Sequence, residues 1–552
     1  MKTEPPARSH SGPMIDRRSL FRGAALGAGL LASPAALAAS ARPGFSSGVA
    51  SGEPSATSVM LWTRYKAEQD VSLEWEMAAD TEFRTIVAGG DVEARAEHDF
   101  CVKPVATGLE PGRTYFYRFT APDGSQSCMG RTMTLPVGDV ARYRLGVFSC
   151  SNIGFGWFNA YAHAAEANEF DLLLHLGDYF YEYPGGTYPS AEERVAGRDA
   201  WPDAETITLA DYRLRHASYR ADQDLQRLTQ LYPMILGWDD HESANDSWEG
   251  GAENHQPENE GDWSARKRAA KRAYREWLPV SDDDWASYEI GDLATLFRLE
   301  TRLTARSEQF NIAKILAGKT DQEAMVAALA AFRDDAYRDP SRTVMGMTQE
   351  AWLADGLKAS RASGKQWQVL VQQVVMGKLA SASSLLDGLA GSAPDYVRRR
   401  LIASSLASKA GLPANMDAWD GYPAARERVM GSALEADANL VVLAGDTHNA
   451  WAFDLAQDGE RVGVEFAVQG VTSPGLESYL GSVAPADLRR ALVERNEELR
   501  WADTSQRGYM AVELTPQEAS CEWRFVGNVR QRGSSLAGTH RMTSAAGSRR
   551  LA

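Results

Sequence analysis

Two apolar runs of this chain end in Gly-Asp, and each is followed within three residues by a second side chain that can bind a metal. The first run, FDLLLHLGDYFYEY, carries Asp178 and Tyr181, and the second, NLVVLAGDTHNAW, carries Asp446 and His448. Continuous apolar runs are typical of buried strands in an α/β sheet, whose carboxyl ends are where ligands bind. We therefore expect both runs to deliver ligands to the same sheet edge.

Two further segments contain ligands of suitable type. Cys150 follows the apolar run YRLGVFS, and the acidic cluster WDDHE contains Asp239, Asp240 and His241. Adjacent carboxylates disfavour each other's ionisation unless a cation is present, and a thiolate is a softer ligand than a carboxylate. His241 could be a ligand or a general acid, and Asn245 offers a neutral carbonyl oxygen suited to calcium or zinc. Four converging segments predict a metal-dependent phosphoesterase.

Each of these residues alone has a simpler structural explanation. Asp178 could close a turn or cap a helix, Tyr181 could pack in the core, and buried histidines and cysteines are often structural. Asp446 and His448 are one residue apart, so in an extended chain both side chains point the same way and one strand end can hold two ligands. Phenolate is a ligand for a hard trivalent ion such as ferric iron, which would lower its pKa of about 10.

The composition indicates an acidic protein with enough apolar residues for a large core. The 552 residues, 44% of them hydrophobic, carry a formal net charge of −16. This length suggests roughly two to four domains. Sequence-independent binding to nucleic acid needs a basic surface, so we do not expect it for this acidic chain. We also expect no sequence-specific binding to nucleic acid.

Residues 1–41 are predicted to be a twin-arginine signal peptide. Arg17 and Arg18 precede the run AALGAGLLASPAALAAS, and small residues around positions 36–39 form an A-x-A-like end. The run is rich in Ala and Gly and short of the about 20 strongly apolar residues of a membrane span; an uncleaved signal anchor is the alternative. We expect a periplasmic or secreted protein that uses the twin-arginine export machinery and has no stable membrane insertion.

The rest of the chain divides into two predicted domains and a tail. Residues 42–137 alternate as short strands and include GLEPGRTYFYRF, which resembles a segment of fibronectin type III-like domains. From Arg144 onward, LGVFSC, FNAYAHAAEANEF and DLLLHLGD predict a βαβ unit at the start of a catalytic domain over residues 140–535. Residues 536–552 are small and polar, and we expect a flexible tail.

The four cysteines suggest one disulfide. Cys101 and Cys128 lie in the same β-rich region and could pair in an oxidising compartment. Cys521 is expected to pack as a small hydrophobic residue.

Six short motifs occur in an order that resembles the PhoD-like alkaline phosphatases, which belong to the calcineurin-like metallophosphoesterases. The motifs are FSCSN, HLGDYFYEY, WDDHE, LETRLTAR, DAWDGYPAARER and LAGDTHNAW. The segment FSSGVASGEPSATSVMLWTRY also resembles the start of that family's N-terminal domain. The resemblance covers about residues 43 to 535. It implies an α/β fold class with a metallophosphoesterase β-sandwich core flanked by helices, and a fibronectin III-like all-β domain at the N-terminus.

The resemblance implies a dinuclear centre with Fe³⁺ and, in the best-known members, Ca²⁺. Asp178 would bridge the two metals, and three residues would complete the iron shell: Cys150, Tyr181 and His448. The second metal would be held by Asp446 together with one or more of three residues: Asp239, Asp240 and Asn245.

Other residues of these motifs are less well defined by the resemblance. His241 occupies the position that related phosphoesterases use to protonate the leaving group. The family usually shows two asparagines after its DDHE, whereas Asn245 is followed here by Asp246, which leaves the second ligand set open. Arg302 and Arg306 receive no role, although Arg302 could hold a carboxylate ligand in place.

The predicted function is hydrolysis of phosphodiesters and phosphomonoesters by a metal-bound hydroxide, with cations about 3.5–4 Å apart. No Gly-x-Ser-x-Gly motif at a strand-helix turn supports a serine route. One alternative is a phospholipase D-like lipid phosphodiesterase, which aromatic loops would favour; Tyr183, Tyr188 and Trp201 are too few to decide. A second alternative, outside the enzymes, is a non-catalytic cell-surface scaffold with a degenerate site. The intact ligand set argues against it.

Overall fold

The structure, a computed structural model, describes residues 44–382, 395–481 and 483–552. The predicted signal peptide at residues 1–41 lies outside the described residues. None of the helices in the described ranges combines the length and the apolar character needed to cross a bilayer.

Strands occur throughout the described part of the chain, from β1 near its start to β21 near its end. In chain order the strands are β1 (Val49–Gly52), β2 (Ser58–Arg64), β3 (Val71–Ala78), β4 (Ile86–Ala94), β5 (Cys101–Val102), β6 (Val105–Thr107), β7 (Thr114–Thr120), β8 (Gly130–Met133), β9 (Tyr143–Phe148), β10 (Leu172–His175), β11 (Pro233–Leu236), β12 (Ala286–Ile290), β13 (Ala294–Arg298), β14 (Trp367–Val371), β15 (Leu440–Ala444), β16 (Ala450–Gln457), β17 (Glu460–Ala467), β18 (Leu499–Asp503), β19 (Gly508–Leu514), β20 (Glu518–Val526) and β21 (Leu536–Ala545).

Helices connect many of these strands. In chain order the α-helices are α1 (Asn159–Ala167), α2 (Leu209–Arg220), α3 (Gln223–Leu231), α4 (Pro257–Glu260), α5 (Trp263–Trp277), α6 (Ile312–Leu316), α7 (Gln322–Asp334), α8 (Gly346–Ala362), α9 (Asp395–Lys409), α10 (Pro423–Glu435) and α11 (Pro485–Arg495).

Two large sheets form the centre of the molecule. The order of the ten-stranded sheet is β21-β20-β19-β9-β10-β11-β1-β2-β5, with β6 beside β2, and that of the seven-stranded sheet is β12-β13-β14-β15-β17-β16-β18. One buried apolar cluster contains residues of both sheets, among them Leu145, Leu174, Val369 and Leu443. Two other clusters join the outer faces of the sheets to helices, including α1, α3 and α5 on one side and α8 and α10 on the other. The predicted mixed α/β class is confirmed.

The apolar runs of the sequence are strands that are buried on both faces. In β10, Leu172 and Leu174 belong to the cluster between the sheets, whereas Leu173 belongs to the helix-covered cluster. Because successive strand residues point to opposite faces, two covered faces require an unbroken apolar sequence. The predicted βαβ unit is also confirmed, since β9 and β10 are parallel neighbours joined through α1.

The N-terminal strands are divided between two sheets. Strands β4, β3, β7 and β8 form a separate four-stranded sheet, but β1, β2, β5 and β6 belong to the ten-stranded sheet. Strand β1 pairs in parallel with β11, with Ser51 opposite Pro233 and Gly52 opposite Met234. A Cβ at Gly52 would lie 2.2 Å from the Pro279 carbonyl oxygen, so this close approach requires glycine. The resemblance of this region to fibronectin type III stays a prediction.

The expectation of a flexible tail at residues 536–552 is wrong. Strand β21 pairs with β20 from Glu518–Ala545 to Val526–Leu536 and forms the edge of the ten-stranded sheet. Leu551 is buried, and its backbone N–H donates to Asp454. Backbone hydrogen bonds to β20 hold this segment in place. Small polar side chains do not predict such pairing.

No disulfide forms among the four cysteines, all of which lie in the described residues. Cys101 packs with Trp62 and Trp277, whereas Cys128 packs against the core of the four-stranded sheet, so the suggested pair lies in two different clusters. Cys521 is buried in the cluster between the sheets, as expected.

The segment after β14 is held by side chains. Six consecutive backbone N–H groups, those of residues 376–381, each donate to a side-chain oxygen. Glu465 accepts the first two bonds, both at 2.7 Å. The other four acceptors are Glu498, Asp420, Asn496 and Ser408. Because these acceptors come from several elements, the segment is tied to the body of the domain.

Candidate metal centre

The two Gly-Asp dipeptides end strands of different sheets. Asp178 follows β10 of the ten-stranded sheet, and Asp446 follows β15 of the seven-stranded sheet. The expectation of one shared sheet edge is therefore wrong. The two strand ends still meet at one centre, because Asp240, which follows β11, shares one group of close ligand atoms with Asp178 and another with Asp446.

Both glycines of these dipeptides are required by close packing. A Cβ at Gly177, whose φ is +103°, would lie 2.6 Å from the backbone nitrogen of Asp239. A Cβ at Gly445 would lie 2.4 Å from the Ser149 hydroxyl. Contacts this short are incompatible with a side chain, so glycine is what lets the strand ends converge.

Four predicted ligands have left-handed backbone conformations. The φ angles are 59° at Cys150, 52° at Asp178, 65° at Asp446 and 61° at His448. Positive φ is uncommon for residues other than glycine, and such strain concentrates at functional sites, where the surrounding structure enforces it. The fold therefore constrains the backbone of all four to aim their side chains at one place.

The predicted ligands form three groups whose ligand atoms lie within 4.8 Å of one another. The groups are Cys150, Asp178 and His448; Asp178, Asp240 and His241; and Asp239, Asp240 and Asp446. Asp178 and Asp240 each belong to two groups. A carboxylate that bridges two neighbouring ions must belong to the ligand groups of both, and Asp178 and Asp240 meet this condition.

Tyr181 joins the first of these groups through its hydroxyl. The phenol donates to Asp178 Oδ2 at 3.0 Å and lies 3.0 Å from His448 Nε2. Ser473 donates to the phenolic oxygen at 2.8 Å. Since a hydroxyl donor favours the phenolate form, this contact suits an oxygen that gives up its proton to a cation.

The orientation of His448 leaves Nε2 available as a ligand. Its Nδ1 lies 2.9 Å from the carbonyl oxygen of Pro474, which can only accept, so Nδ1 carries the proton. The Tyr188 hydroxyl lies 3.3 Å from the same nitrogen. Burial lowers the pKa of His448 to about 3, so the imidazole is neutral. A neutral imidazole whose other nitrogen donates to a carbonyl is the usual form of a metal-binding histidine.

Burial disfavours the anionic forms of several acidic groups of the site. Asp178 Oδ1 and Asp239 Oδ2 are buried oxygens without a hydrogen-bond partner among the described residues. Burial, followed by the charge of Asp178, raises the pKa of both Cys150 and Tyr181 well above their ordinary values. Burial and then Asp239 raise the pKa of Asp446 in the same way. A cation among these groups would satisfy the oxygens and restore the anionic forms, so the residues fit a metal centre.

His241 is paired with a buried glutamate that the sequence reading did not single out. Its Nδ1 donates to Glu182 Oε2 at 2.7 Å. The other Glu182 oxygen accepts from the Asn245 backbone and from the Asn254 amide, both at 2.8 Å. Burial opposes a charge on the ring, yet Asp240, then Asp178 and Glu182, raise the pKa of His241 well above its ordinary value. The ring is thus fixed with Nε2 facing the site.

Glu242 of the WDDHE motif serves a structural purpose. Its two carboxylate oxygens accept three backbone N–H bonds, from Asp178 at 3.0 Å, Tyr179 at 2.6 Å and Asp239 at 2.8 Å. It therefore joins the ends of β10 and β11, two strands that carry ligands.

The Asn245 backbone N–H donates to Glu182, the partner of His241, and its side-chain amide donates to Glu253 at 3.1 Å. Its role as a ligand stays a prediction. Trp419 and Tyr422 of the motif DAWDGYPAARER are buried, and the Trp419 indole donates to Gln372 at 3.0 Å.

The loop over residues 184–207 lies next to the centre. It contains no α-helix or extended strand, and Tyr188 on this loop packs beside Tyr181 with ring centroids 5.7 Å apart. Buried Arg215 donates to five carbonyl oxygens at the base of the loop, those of Tyr181, Tyr183, Trp201, Pro202 and Ala204. Arg215 thereby fixes the backbone that carries the phenol.

Comparisons with known proteins cover nearly the whole chain. The profile of the PhoD-like phosphatases matches residues 145–523, and that of the PhoD-like phosphatase N-terminal domain matches residues 31–136. Alkaline phosphatase D of Bacillus subtilis (strain 168) is 33% identical over 563 residues, which cover 95% of this chain and 86% of the relative. A solved structure described as that of PhoD has a TM-score of 0.75 and 29% identity, with 92% of each chain covered.

Proposed function

Because this chain belongs to the PhoD-like phosphatase family, it is a phosphoric ester hydrolase, and we propose that it cleaves phosphodiesters and phosphomonoesters at a dinuclear Fe³⁺/Ca²⁺-type centre. The observation that carries the proposal is the convergence of three ligand groups: the group of Cys150, Asp178 and His448 shares Asp178 with the second group, and the second shares Asp240 with the third. The motif resemblance is confirmed by the comparisons.

The residues that would hold the two ions differ in chemical character. Ferric iron would take Cys150, Tyr181 and His448, a set of thiolate, phenolate and imidazole that suits a transition metal. The second ion would take Asp446 with one or more of Asp239, Asp240 and Asn245, oxygen ligands for which calcium is a suitable cation. Asp178 would lie between the two.

The protein's own residues would handle orientation and proton transfer. When bound, the ions would polarise the phosphoryl oxygens and lower the pKa of a water toward neutrality. His241, held at Nδ1 by Glu182, presents Nε2 to the site and would donate its proton to the leaving oxygen. Tyr188 and the loop over residues 184–207 would border the bound ester.

The test is hydrolysis of an aryl phosphomonoester and its bis-ester by purified protein, with and without a chelator. We expect activity on at least one ester, its loss after chelation, and its recovery on adding back the ions found by elemental analysis. Asp178→Ala should abolish activity and lower the content of both ions. Activity on neither ester by protein without bound metal would favour a non-catalytic scaffold, and full content of both ions in Asp178→Ala would contradict a bridging role.

We also propose that the enzyme is exported through the twin-arginine route as a folded protein. The paired Arg17 and Arg18 and the apolar run behind them support this. Replacing both arginines by lysine should leave the enzyme in the cytoplasm, measured as activity in cell fractions.

A further inference from the structure

Arg302 contacts three carboxylates at the centre of the molecule. Its Nε donates to Asp239 Oδ1 at 2.5 Å, Nη1 to Asp417 Oδ2 at 2.7 Å and Nη2 to Asp446 Oδ1 at 3.2 Å. The Arg302 side chain is 0% exposed. A buried guanidinium without solvent access cannot act by meeting a substrate, so its role must pass through these partners.

The three carboxylates belong to three separate parts of the fold. Asp239 follows β11 of the ten-stranded sheet, and Asp446 follows β15 of the seven-stranded sheet. Asp417 precedes the buried turn at Trp419–Gly421. Arg302 itself follows β13, four residues beyond Arg298. One planar fork therefore spans the junction between the two sheets at the place where the ligands converge.

The contacts leave one oxygen of Asp239 for another partner. Oδ1 accepts from Arg302, whereas Oδ2 is buried and has no hydrogen-bond partner in the part of the chain that the structure describes. Asp239 and Asp446 lie with Asp240 in one of the three groups of ligand atoms. The guanidinium also supplies a fixed positive charge that keeps these carboxylates together before a metal arrives.

We infer that Arg302 is the positioning residue of the second metal site: it fixes the distance between Asp239 and Asp446 and aims their remaining oxygens at the ion. This inference rests on the proposed function, because it takes that group of carboxylates as the second site. Partners that orient metal ligands typically contribute about 10- to 100-fold in metal affinity. Lysine, a single point charge on a flexible stem, cannot reproduce a fork that reaches three carboxylates.

Arg306 offers a matched control within the same segment. Its side chain is also 0% exposed, and it pairs with the same Asp417 at 2.7 Å. Its other acceptors are the carbonyl oxygens of Thr301 and Asp417. Neither Asp239 nor Asp446 is among its hydrogen-bond or ion-pair partners. Arg306→Lys therefore perturbs a buried arginine of the same network without touching the metal ligands directly.

The experiment compares wild type, Arg302→Lys and Arg306→Lys. Each protein is stripped of metal, and Ca²⁺, Mg²⁺, Mn²⁺ and Zn²⁺ are titrated separately by calorimetry; iron content and melting temperature are measured in parallel. For the divalent ion that wild type binds, we expect Arg302→Lys to bind about 10- to 100-fold more weakly. It should keep iron at the wild-type stoichiometry, and Arg306→Lys should bind the divalent ion within about twofold of wild type. The melting temperature of Arg302→Lys should also rise less than that of wild type on adding the ion.

The outcomes separate this inference from the proposed function. Divalent binding by Arg302→Lys as tight as wild type, or equal weakening in both variants, overturns the positioning role alone. If Arg302→Lys does not fold, Arg302→Gln is measured in its place, since glutamine keeps one donor and removes the charge. A wild type that binds no divalent ion overturns the second site and with it the dinuclear proposal.

Discussion

The residues of the centre show how closely chemistry and local backbone are linked. Cys150, Asp178, Asp446 and His448 all have positive φ, and Gly177 and Gly445 precede the two aspartates. Sharp turns at strand ends bring metal-ligand atoms from distant segments within 4.8 Å of one another. The backbone strain and the packed glycines therefore serve the position of the ligands.

Tyr181→Phe should remove any visible absorption from phenolate-to-iron charge transfer. The phenol lies 3.0 Å from both Asp178 Oδ2 and His448 Nε2, where it would reach the same ion. The measurement is the absorption spectrum of protein purified with iron, together with its iron content. Tyr183→Phe, two residues further along the chain, is the control and should keep the colour. An unchanged spectrum in Tyr181→Phe would contradict phenolate ligation.

Gly177→Ala should lower both stability and metal content. The added Cβ would meet the Asp239 backbone nitrogen at 2.6 Å and push apart two strand ends that carry ligands. Gly186→Ala is the control, because Gly186 also has a positive φ of +82° but no atom of the described residues lies within 4 Å of the added Cβ. Both variants carry the strain of alanine at positive φ, about 1–3 kcal/mol. Equal losses in chemical denaturation and metal analysis would show that the close contact is unimportant.

Residue types could be predicted for most of the site, but their partners could not. The motifs around Asp178 and Asp446 mark strand ends from local sequence alone. Glu182 could not be predicted, because its importance depends on a hydrogen bond to His241, which lies 59 residues away in the sequence. The same holds for Asp417, whose partner Arg302 lies 115 residues away. Glu242 was counted with the acidic cluster, although its oxygens hold backbone N–H groups.

At the scale of the elements, side chains replace regular pairing where the strands end. Residues 376–381 follow β14 and donate all six backbone N–H groups to side-chain oxygens. A buried N–H without an acceptor costs about 1–3 kcal/mol. The carboxylates around this segment therefore maintain its path beside the seven-stranded sheet.

Glu465→Gln should destabilise the domain by about 1–3 kcal/mol. Glu465 is 0% exposed, and each of its oxygens accepts a backbone N–H, from Met376 and Gly377. Glutamine would place an NH₂ group against one of these donors. Glu460→Gln, at the exposed start of the same strand β17, is the control and should change the free energy of unfolding by less than about 0.5 kcal/mol. Denaturant unfolding measures both; equal stabilities would contradict the role of Glu465.

Strands with strong apolar patterns could be predicted from the sequence, whereas strands held mainly by backbone hydrogen bonds could not. The unbroken apolar run that contains β10 predicts a buried strand, and the structure covers both of its faces. Strand β21 has mostly exposed or half-exposed side chains, so its sequence resembles a tail. The sheet to which a strand belongs depends on long-range pairing, which is why the strands of Asp178 and Asp446 were expected at one edge.

At the scale of the whole molecule, two sheets with helices on their outer faces enclose one centre. Cys150, Asp178 and Asp239 follow strands of one sheet, and Asp446 and His448 follow β15 of the other. The centre is therefore complete only when the sheets pack together. Binding free energy of metal would then add to the stability of the sandwich.

A chain that ends at residue 535 should be less stable than the full chain. Its loss would remove β21 and the hydrogen bonds to β20, each of which contributes about 0.5–1.5 kcal/mol. A chain that ends at Ala545 keeps this strand and should lose less. Thermal unfolding of the two shortened proteins and the full chain is the measurement. Identical melting temperatures for all three would restore the idea of a dispensable tail.

Strand β1 has a practical consequence for how this protein can be divided. It lies between β11 and β2, so the first strand of the N-terminal region continues the sheet that carries Asp178 and Asp239. An expression clone that starts at residue 140 would strip this neighbour from β11 and leave a row of open backbone groups beside the catalytic strands. Exposed edges of that kind recruit other chains, so the isolated segment should form inclusion bodies, and supplying residues 44–137 as a separate polypeptide should rescue its solubility.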